Sequence, residues 1–228
     1  MPLPPWLPHH AVTVFYLHGF ASSPESSKAV TLMRALEPLG VATHIPDLNQ
    51  PSFRALTITR MLEQVRAAID RAAAGPVVLI GSSLGAFVAL HAAAADTRVK
   101  GLVLLAPALD FGGDDEGKLG HVRIADWKAA GSAEIFHYAW NRPETINWAL
   151  YEDARRYDAS AVSLTIPVLI FQGTRDTVVT PAVVERWAAR RANVTLHMVE
   201  DDHQLHASLG RIVRETVTFV ASGINALP

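Results

Sequence analysis

Residues 81–85 read GSSLG and carry the clearest chemical pattern in the chain. They follow the apolar run VVLI and precede an Ala-rich stretch, which places them between a strand and a helix. A G-x-S-x-G pattern in that setting is typical of a nucleophile elbow, a strained turn that lifts the serine hydroxyl out of a sheet. At the start of a helix, free N–H groups favour developing negative charge. The pattern therefore predicts Ser83 as a nucleophile.

The alternative for this turn is an ordinary glycine-rich connection in a nucleotide-binding fold. The sequence has neither G-x-G-x-x-G nor G-x-x-x-x-G-K-[ST], the patterns whose backbone N–H groups cradle phosphates. We therefore favour nucleophilic catalysis at Ser83 over phosphate binding.

A serine hydroxyl needs a base to remove its proton, and the base needs an acid to orient it. His203 follows the last predicted strand, at the sheet edge where parallel folds place functional groups. His206, three residues on, is its rival. Asp176 follows the preceding strand, and Asp110 is the alternative acid after the fourth strand. The chain order Ser83, Asp176, His203, each after a different strand, predicts a catalytic triad.

An oxyanion hole would complete this chemistry, because backbone N–H donors stabilise the charge that forms on the carbonyl oxygen. The N–H of Leu84, next after the nucleophile, is one candidate donor. The second is the N–H of Phe20, in the loop after the first strand. His18, in the same loop, is expected to brace it rather than to act as a base. Together with Trp140 and Trp148, it is also a candidate substrate contact.

The amino-acid composition excludes several other classes of functional site. The chain has no cysteine, which excludes disulfides, thiolate catalysis and Cys-ligated metal sites. Asp202 and His206 make a conceivable metal pair, but two ligands without a third make a poor site. Neither a metal nor a cofactor is therefore predicted. A formal net charge of −2 provides no basic field for nucleic acid.

The elements that position these residues alternate between strand and helix. Short apolar runs predict strands over 12–17, 41–45, 77–80, 102–106, 167–171 and 194–199. Helical spacing and capping residues predict helices over 26–39, 53–74 with Ser52 as its cap, 84–95, 182–191 and 206–221. This alternation predicts an α/β fold, a doubly wound, mostly parallel sheet of about six strands with helices on both faces.

Residues 110–160 interrupt the alternation between the fourth and fifth predicted strands. They contain no clear strand pattern and hold 8 of the chain's 17 aromatic residues. We interpret them as a small helical cap inserted into a single domain that spans residues 1–228. Because ligand pockets are mostly apolar, the aromatic residues of this cap are candidates to line one.

The sequence resembles the α/β-hydrolase superfamily over residues 12–221. The matching residues are 18–20 (HGF), 81–85 (GSSLG), 173–176 (GTRD) with Pro181, and Asp202 with His203. The stretches LHGFASSPESSK and IGSSLG are similar to small bacterial serine esterases with a minimal cap. The resemblance implies a serine carboxylesterase or thioesterase, a sheet ordered 2-1-3-4-5-6, and no metal or organic cofactor.

The chain departs from the full superfamily pattern in several ways. It lacks the two N-terminal antiparallel strands, and it has HGF in place of the HGGG-type motif of some lipases and esterases. It has no acid or cysteine at the nucleophile position, which argues against dehalogenase-like and dienelactone-hydrolase-like chemistry.

These observations together predict hydrolysis of a small-molecule ester, with no nucleic-acid or membrane partner; the oligomeric state is open. The alternatives are a cofactor-free perhydrolase or haloperoxidase-type activity, and a catalytically silent binding module on the same scaffold. Residues 1–10 hold no Lys or Arg, and the longest apolar stretches, near 77–80 and 102–109, are shorter than a membrane span. A cytoplasmic location is therefore expected.

Overall fold

The computed structural model describes residues 12–72, 75–113 and 117–225. Their ten strands, in chain order, are β1 Thr13–Leu17, β2 Ala42–His44, β3 Val77–Ser82, β4 Val99–Leu105, β5 Lys118–Leu119, β6 Val122–Arg123, β7 Ser132–His137, β8 Arg142–Asn147, β9 Val168–Gly173 and β10 Val194–Val199. Their seven α-helices are α1 Ser27–Leu36, α2 Ile58–Ala72, α3 Leu84–Ala95, α4 Ile124–Ala130, α5 Ala149–Ala154, α6 Pro181–Ala188 and α7 Leu209–Asn225. Within these ranges, no helix has the length and apolar character needed to span a bilayer.

Three parts of the sequence-based predictions lie outside the described residues. They are positions 1–10, on which the expected location depends, positions 73–74 at the end of the second predicted helix, and positions 114–116 of the inserted segment.

Six of the strands form one wholly parallel sheet. Its order is β2-β1-β3-β4-β9-β10, and every neighbouring pair runs parallel. Numbered among themselves in chain order, these six strands follow the order 2-1-3-4-5-6 that the resemblance implies. The difference in detail is that β5 to β8 lie between the fourth and fifth of them. The predicted α/β fold is confirmed.

Helices cover both faces of the sheet, and its four central strands, β1, β3, β4 and β9, are buried along nearly their whole length. Successive side chains of a strand point to opposite faces. In β1, Phe15 and Leu17 belong to one apolar core, whereas Val14 and Tyr16 belong to the other. The first core includes buried side chains of α2, α3 and α6, and the second includes those of α1 and α7. The carboxyl ends of all six strands therefore share one edge between these layers.

The second predicted helix begins later than residue 53. A 3₁₀ turn, Phe53–Ala55, comes first. The Thr57 hydroxyl then accepts the N–H of Arg60 at 3.1 Å, whereas Ser52, the predicted cap, makes no side-chain capping bond. Because Thr57 satisfies a donor of the first turn, α2 begins directly after it.

The prediction of a helical cap is wrong in its secondary structure. Besides α4 and α5, the inserted segment contains two antiparallel hairpins, β5–β6 and β7–β8. In β7, Ile135 and His137 are buried. Glu134 and Phe136, which alternate with them along the strand, are exposed, which is the alternation of a half-buried strand. Asn141 lies in the hairpin turn with a left-handed φ of 50°. Because Phe136 is apolar but exposed, the sequence of β7 does not show the regular alternation of apolar and polar residues that would predict a strand.

His91 on α3 makes the stability of the first core pH-dependent. Its ring packs against Phe87 and Tyr157, with centroid distances of 4.6 and 5.3 Å. Burial lowers the pKa of His91 from 6.5 to about 4, although Asp158 opposes this shift. Between these pH values the unfolded chain binds a proton that the folded chain does not. We therefore expect the free energy of unfolding to fall by up to about 3 kcal/mol as the pH drops from 6.5 to 4.

Urea unfolding of the wild type and of His91→Leu at several pH values across this window measures that contribution. The variant has no group to protonate at this position, so it should lose less stability on acidification than the wild type. His121 is exposed, and His121→Gln should therefore keep the wild-type dependence on pH. The same loss of stability in the wild type and in His91→Leu would contradict the prediction.

Candidate active site

Ser83 lies between β3 and α3 in a turn with very little space. Its backbone is left-handed, with φ 53° and ψ −117°, a strained conformation for a residue with a Cβ. A Cβ on Gly85 would lie 2.1 Å from the carbonyl oxygen of Leu17. One on Gly81 would lie 2.5 Å from the Cα of Ala86. The two glycines therefore let α3 pack closely against the strands and place Ser83 at the carboxyl edge of the sheet.

The structure brings Ser83, Asp176 and His203 into one hydrogen-bonded row. His203 Nε2 lies 3.1 Å from Ser83 Oγ, and His203 Nδ1 lies 2.8 Å from Asp176 Oδ2. When Nδ1–H is donated to the carboxylate, Nε2 is left to accept the hydroxyl proton. The three residues follow β3, β9 and β10, and their contacts have the geometry of a nucleophile, a base and an orienting acid.

The rival residues take no part in the hydrogen bonds of this row. Asp110 is exposed after β4, and its side chain makes no hydrogen bond within the described residues. His206 is also exposed, and it lies in the loop before α7, because that helix begins at Leu209 rather than at 206. In the described part of the chain, no third His, Asp or Glu joins Asp202 and His206 as a possible metal ligand.

Asp176 is buried and fixed by four hydrogen bonds. Oδ1 accepts the N–H groups of Val178 and Val179, each at 2.8 Å. Oδ2 accepts the N–H of His203 and, at 3.0 Å, the side-chain amide of Gln172. Burial alone would raise the pKa of Asp176, but the hydrogen bonds from His203 and Val179 hold it below its ordinary value. The carboxylate is therefore charged and suited to stabilise a protonated imidazole.

Two supporting residues do not stand out in the sequence patterns. Gln172 is fully buried at the end of β9, where it donates to Asp176. Asn49 is buried and donates its side-chain N–H to the carbonyl oxygen of Ser22 at 2.8 Å, across 27 residues of chain. A polar residue at the end of the apolar run VLIF is a usable signal for Gln172. Asn49 has no comparable signal, because its partner is distant in sequence.

The N–H groups of Phe20 and Leu84 both remain available as donors, since neither makes a hydrogen bond within the described residues. Leu84 is the first residue of α3, where an N–H has no partner inside the helix. The loop after β1 comes close to Ser83. A Cβ on Gly19 would lie 3.1 Å from the carbonyl oxygen of Ser82 and 3.3 Å from the Cβ of Ser83. Two free donors beside the serine suit an oxyanion hole.

His18 braces this loop. Its ring is 3% exposed, Nε2 accepts the N–H of Leu48 at 3.0 Å, and Nδ1 donates to the carbonyl oxygen of Gly19 at 3.0 Å. Both nitrogens are engaged within the protein, and Nε2 also lies 3.5 Å from a carboxylate oxygen of Asp47. We therefore correct the candidate substrate contact at His18, because no ring nitrogen is left for a substrate.

The two cap tryptophans have different surroundings. Trp148 packs within the cap against Trp127 and Tyr151, at centroid distances of 5.5 and 5.1 Å. Trp140 lies at the tip of the β7–β8 hairpin, 38% exposed, with its ring stacked on His137 at 3.8 Å. Trp148 is half-buried and packs within the cap, and its role as a substrate contact stays a prediction. The substrate contact at Trp140 stays a prediction as well.

The hairpin tip is bound to the loop that carries Phe20. The N–H of Tyr138 donates to the carbonyl oxygen of Ala21 at 3.0 Å. The ring of Phe53 lies 6.0 Å from that of Trp140 and 5.2 Å from that of Phe20, between centroids. The cap is thus in direct contact with the loop that holds one candidate oxyanion donor.

A buried lysine lies near the acidic residues of the site. Lys28, in the first turn of α1, is 9% exposed. Burial lowers the pKa of Lys28 to about 8, while attraction to Asp202, Asp201 and Asp176 acts in the opposite direction. The carboxylates that follow β9 and β10 therefore have a cation within electrostatic reach.

Two cavities differ in size and in position. A cavity of about 10 Å³ lies beside the candidate oxyanion donors, with Phe20, Leu84 and Met61 among the residues that line it. A larger cleft of about 540 Å³ lies between α2 and the C-terminal half of α3, and its lining includes His91 but no residue of the hydrogen-bonded row. The cavity beside Phe20 and Leu84 is therefore the smaller of the two.

Comparison with protein sequences relates the chain to one family and one curated protein. The family described as "Uncharacterised protein family (UPF0227)" matches residues 13–214. A pimeloyl-[acyl-carrier protein] methyl ester esterase of Xanthomonas axonopodis pv. citri (strain 306) is 32% identical over 127 residues. This match covers 56% of the chain and 45% of the esterase, so it spans less than half the length of that relative.

Two solved structures have the same fold. Est1E from Butyrivibrio proteoclasticus, with ferulic acid bound, aligns with a TM-score of 0.86 at 20% identity over 98% of this chain and 93% of that one. Alpha/beta hydrolase domain-containing protein 10 from mouse aligns with a TM-score of 0.78 at 21% identity over 92% of this chain and 90% of that one. At these identities the likeness concerns the fold, which is that of the α/β hydrolases.

Proposed function

The chain belongs to the UPF0227 family and has the α/β-hydrolase fold, and from this premise we propose that it is a serine hydrolase that cleaves carboxylic esters or thioesters of small molecules. The observation that carries the proposal is the hydrogen-bonded row of Asp176, His203 and Ser83. The free N–H groups of Phe20 and Leu84 beside this row support it, because acyl transfer needs donors for the developing oxyanion.

In the proposed reaction, His203 first acts as a general base. Nε2 takes the proton of the Ser83 hydroxyl while the serine oxygen attacks the carbonyl carbon of the ester. The carbonyl oxygen becomes an oxyanion that the N–H groups of Phe20 and Leu84 stabilise. Asp176 stays ionised, holds the imidazole in the required tautomer and stabilises its positive charge.

The tetrahedral intermediate then collapses to an acyl-enzyme. The bond to the leaving oxygen or sulfur breaks, and the imidazolium of His203 gives its proton to that leaving group. Ser83 now carries the acyl group as an ester. In the second half, His203 takes a proton from water, the hydroxide adds to the acyl carbon, and the acid leaves as Ser83 regains its proton.

We propose small, water-soluble esters with short to medium acyl chains, or with an aromatic group, as substrates. The cavity beside Phe20 and Leu84 measures about 10 Å³, roughly the space of one water molecule, so a bound acyl chain must move Met61 or its neighbours as it lengthens. By its name, the curated relative acts on a methyl ester, and Est1E binds ferulic acid, an aromatic acid. Both fit a carboxylic ester.

A series of p-nitrophenyl esters from acetate to palmitate tests this substrate range. Each further methylene that is buried should add up to about 0.8 kcal/mol of binding until the pocket is full. We therefore expect kcat/KM to pass through a maximum at short to medium chains. A maximum at long chains, with activation at a lipid interface, would show that the β7–β8 hairpin acts as a lipase lid and would contradict the prediction.

Covalent labelling with a fluorophosphonate, followed by ester hydrolysis assays, tests the proposed function itself. Labelling of Ser83 and turnover of esters are the expected results. A protein that is neither labelled nor active would be the silent binding module of the same fold. Turnover that needs peroxide and acetate would instead identify the perhydrolase activity. The cytoplasmic location stays a prediction from the sequence.

A further inference from the structure

Asp201 joins the two ends of the loop that carries His203. It lies two residues after the end of β10, and it is 5% exposed. Its Oδ1 accepts the N–H of Asp202 at 2.9 Å, and its Oδ2 accepts the N–H of Ser208 at 2.7 Å. A single carboxylate therefore closes the segment from 202 to 208, and the imidazole projects from inside that segment.

The backbone of Asp201 also joins this loop to the one that carries Asp176. Its carbonyl oxygen accepts the N–H of Arg175 at 3.0 Å. The two loops pack backbone against backbone, since a Cβ on Gly173 would lie 2.6 Å from the carbonyl oxygens of both Asp201 and Asp202. The distance between the imidazole and its acid thus depends on where Asp201 holds the chain.

The loop needs such support because part of its backbone is strained. Leu205 has a left-handed φ of 56°, which is a rare conformation for a bulky residue and persists only where the surroundings impose it. Its side chain is fully buried in the second core, and its N–H donates to the carbonyl oxygen of Asp202 at 3.3 Å. Two restraints, the buried leucine and the Asp201 carboxylate, therefore fix the loop.

The Asp201 carboxylate is charged while it makes these bonds. Burial alone would raise the pKa of Asp201, but the hydrogen bonds from Ser208 and Asp202 hold it below its ordinary value. Arg175 attracts the carboxylate as well. An ionised carboxylate can only accept hydrogen bonds, which matches the two N–H donors that it faces.

We propose that Asp201 is a positioning residue for His203: its carboxylate holds the loop in the one geometry in which the imidazole reaches Ser83 and Asp176 together. The proposal rests on the proposed hydrolase function. Asp201 does not touch the reacting atoms, so it would act through the imidazole alone.

Asp201→Asn tests the proposal, with Asp202→Asn as the matched control. In Asp201→Asn, an NH₂ group replaces one of the two carboxylate oxygens that accept the N–H groups of Asp202 and Ser208. The loop therefore loses one of these two hydrogen bonds. Asp202 is exposed, and among the described residues its carboxylate accepts one hydrogen bond, from the N–H of Gln204 at 2.8 Å. We expect kcat of Asp201→Asn to fall roughly 10- to 100-fold, because a small displacement of a catalytic group costs about that much. The KM of Asp201→Asn should stay near the wild-type value. Both kcat and KM of Asp202→Asn should stay near the wild-type values.

Two further readouts separate positioning from a general loss of stability. Circular dichroism first establishes that Asp201→Asn is folded. In the folded variant, the rate of Ser83 labelling by the fluorophosphonate should fall in parallel with kcat. The far-downfield NMR resonance of the His203 Nδ1–H, which reports its bond to Asp176, should be lost in this variant and kept in Asp202→Asn. If Asp201→Asn does not fold, Asp201→Ser, which retains one acceptor, should show the same losses.

The outcomes distinguish the two proposals. A wild-type protein that is neither labelled nor active overturns the proposed function. A folded Asp201 variant that is labelled and turns over like an active wild type, with the Nδ1–H resonance intact, overturns the positioning role alone.

Discussion

Replacing Ser83 by alanine should lower kcat for ester hydrolysis by about six orders of magnitude and leave the fold unchanged. The substitution removes only the Oγ that lies 3.1 Å from His203 Nε2, so no acyl-enzyme can form. Alanine keeps the Cβ and can occupy the same left-handed backbone as Ser83. The residual turnover should come from the oxyanion donors and from binding of the ester.

The measurement combines steady-state hydrolysis with mass spectrometry of the phosphonate adduct. The adduct should map to Ser83 in the wild type and should be absent from Ser83→Ala. Ser82 is the matched control, because it is the adjacent serine and it is buried. An adduct on Ser82, or on no serine, would overturn the assignment of the nucleophile.

Asp176→Asn should lower kcat by about four orders of magnitude, and the contacts of Asp176 give the reason. Oδ1 accepts two backbone N–H groups, from Val178 and Val179, so the amide oxygen of an asparagine must lie on that side. Its NH₂ group then points at His203 Nδ1 and donates to it. The ring proton is forced onto Nε2, which can no longer take the proton of Ser83.

Asp110→Asn provides the control for this prediction. Asp110 is exposed, and the imidazole Nδ1 is bonded to Asp176 instead, so the amide at position 110 should leave kcat within about twofold of the wild type. A crippling effect of Asp110→Asn together with a mild effect of Asp176→Asn would show that the orienting acid follows β4 rather than β9.

The sheet and the position of the candidate triad could be predicted because they depend on local sequence. The stretch GSSLG lies between an apolar run and an Ala-rich run, and those two runs are β3 and α3. Asp176 and His203 each follow an apolar run as well. Parallel strands end at one edge of a sheet, so these local patterns are enough to bring the three side chains together.

The remaining features depend on contacts between residues that are distant in the sequence. His18 becomes a brace only through Leu48, 30 residues away. Gln172 becomes a partner of Asp176 only after β9 has been buried. In the cap, Phe136 is exposed beside buried Ile135, so hydrophobicity alone does not distinguish a half-buried strand from a helix. Tertiary packing decides each of these cases.

The hydrogen bond between the N–H of Tyr138 and the carbonyl oxygen of Ala21 couples the β7–β8 hairpin of the cap to the loop after β1. The two segments should therefore be exchanged together when relatives are recombined. The donor is a backbone N–H, so it persists through any change of side chain except proline, and the cap can vary widely in composition without losing it. A chimaera that exchanges residues 132–147 for the hairpin of a relative would replace this donor and change its position relative to the carbonyl oxygen of Ala21. Breakpoints that also exchange residues 18–23 keep donor and acceptor from the same parent. Chimaeras within the family should therefore keep their activity only when both segments come from the same parent.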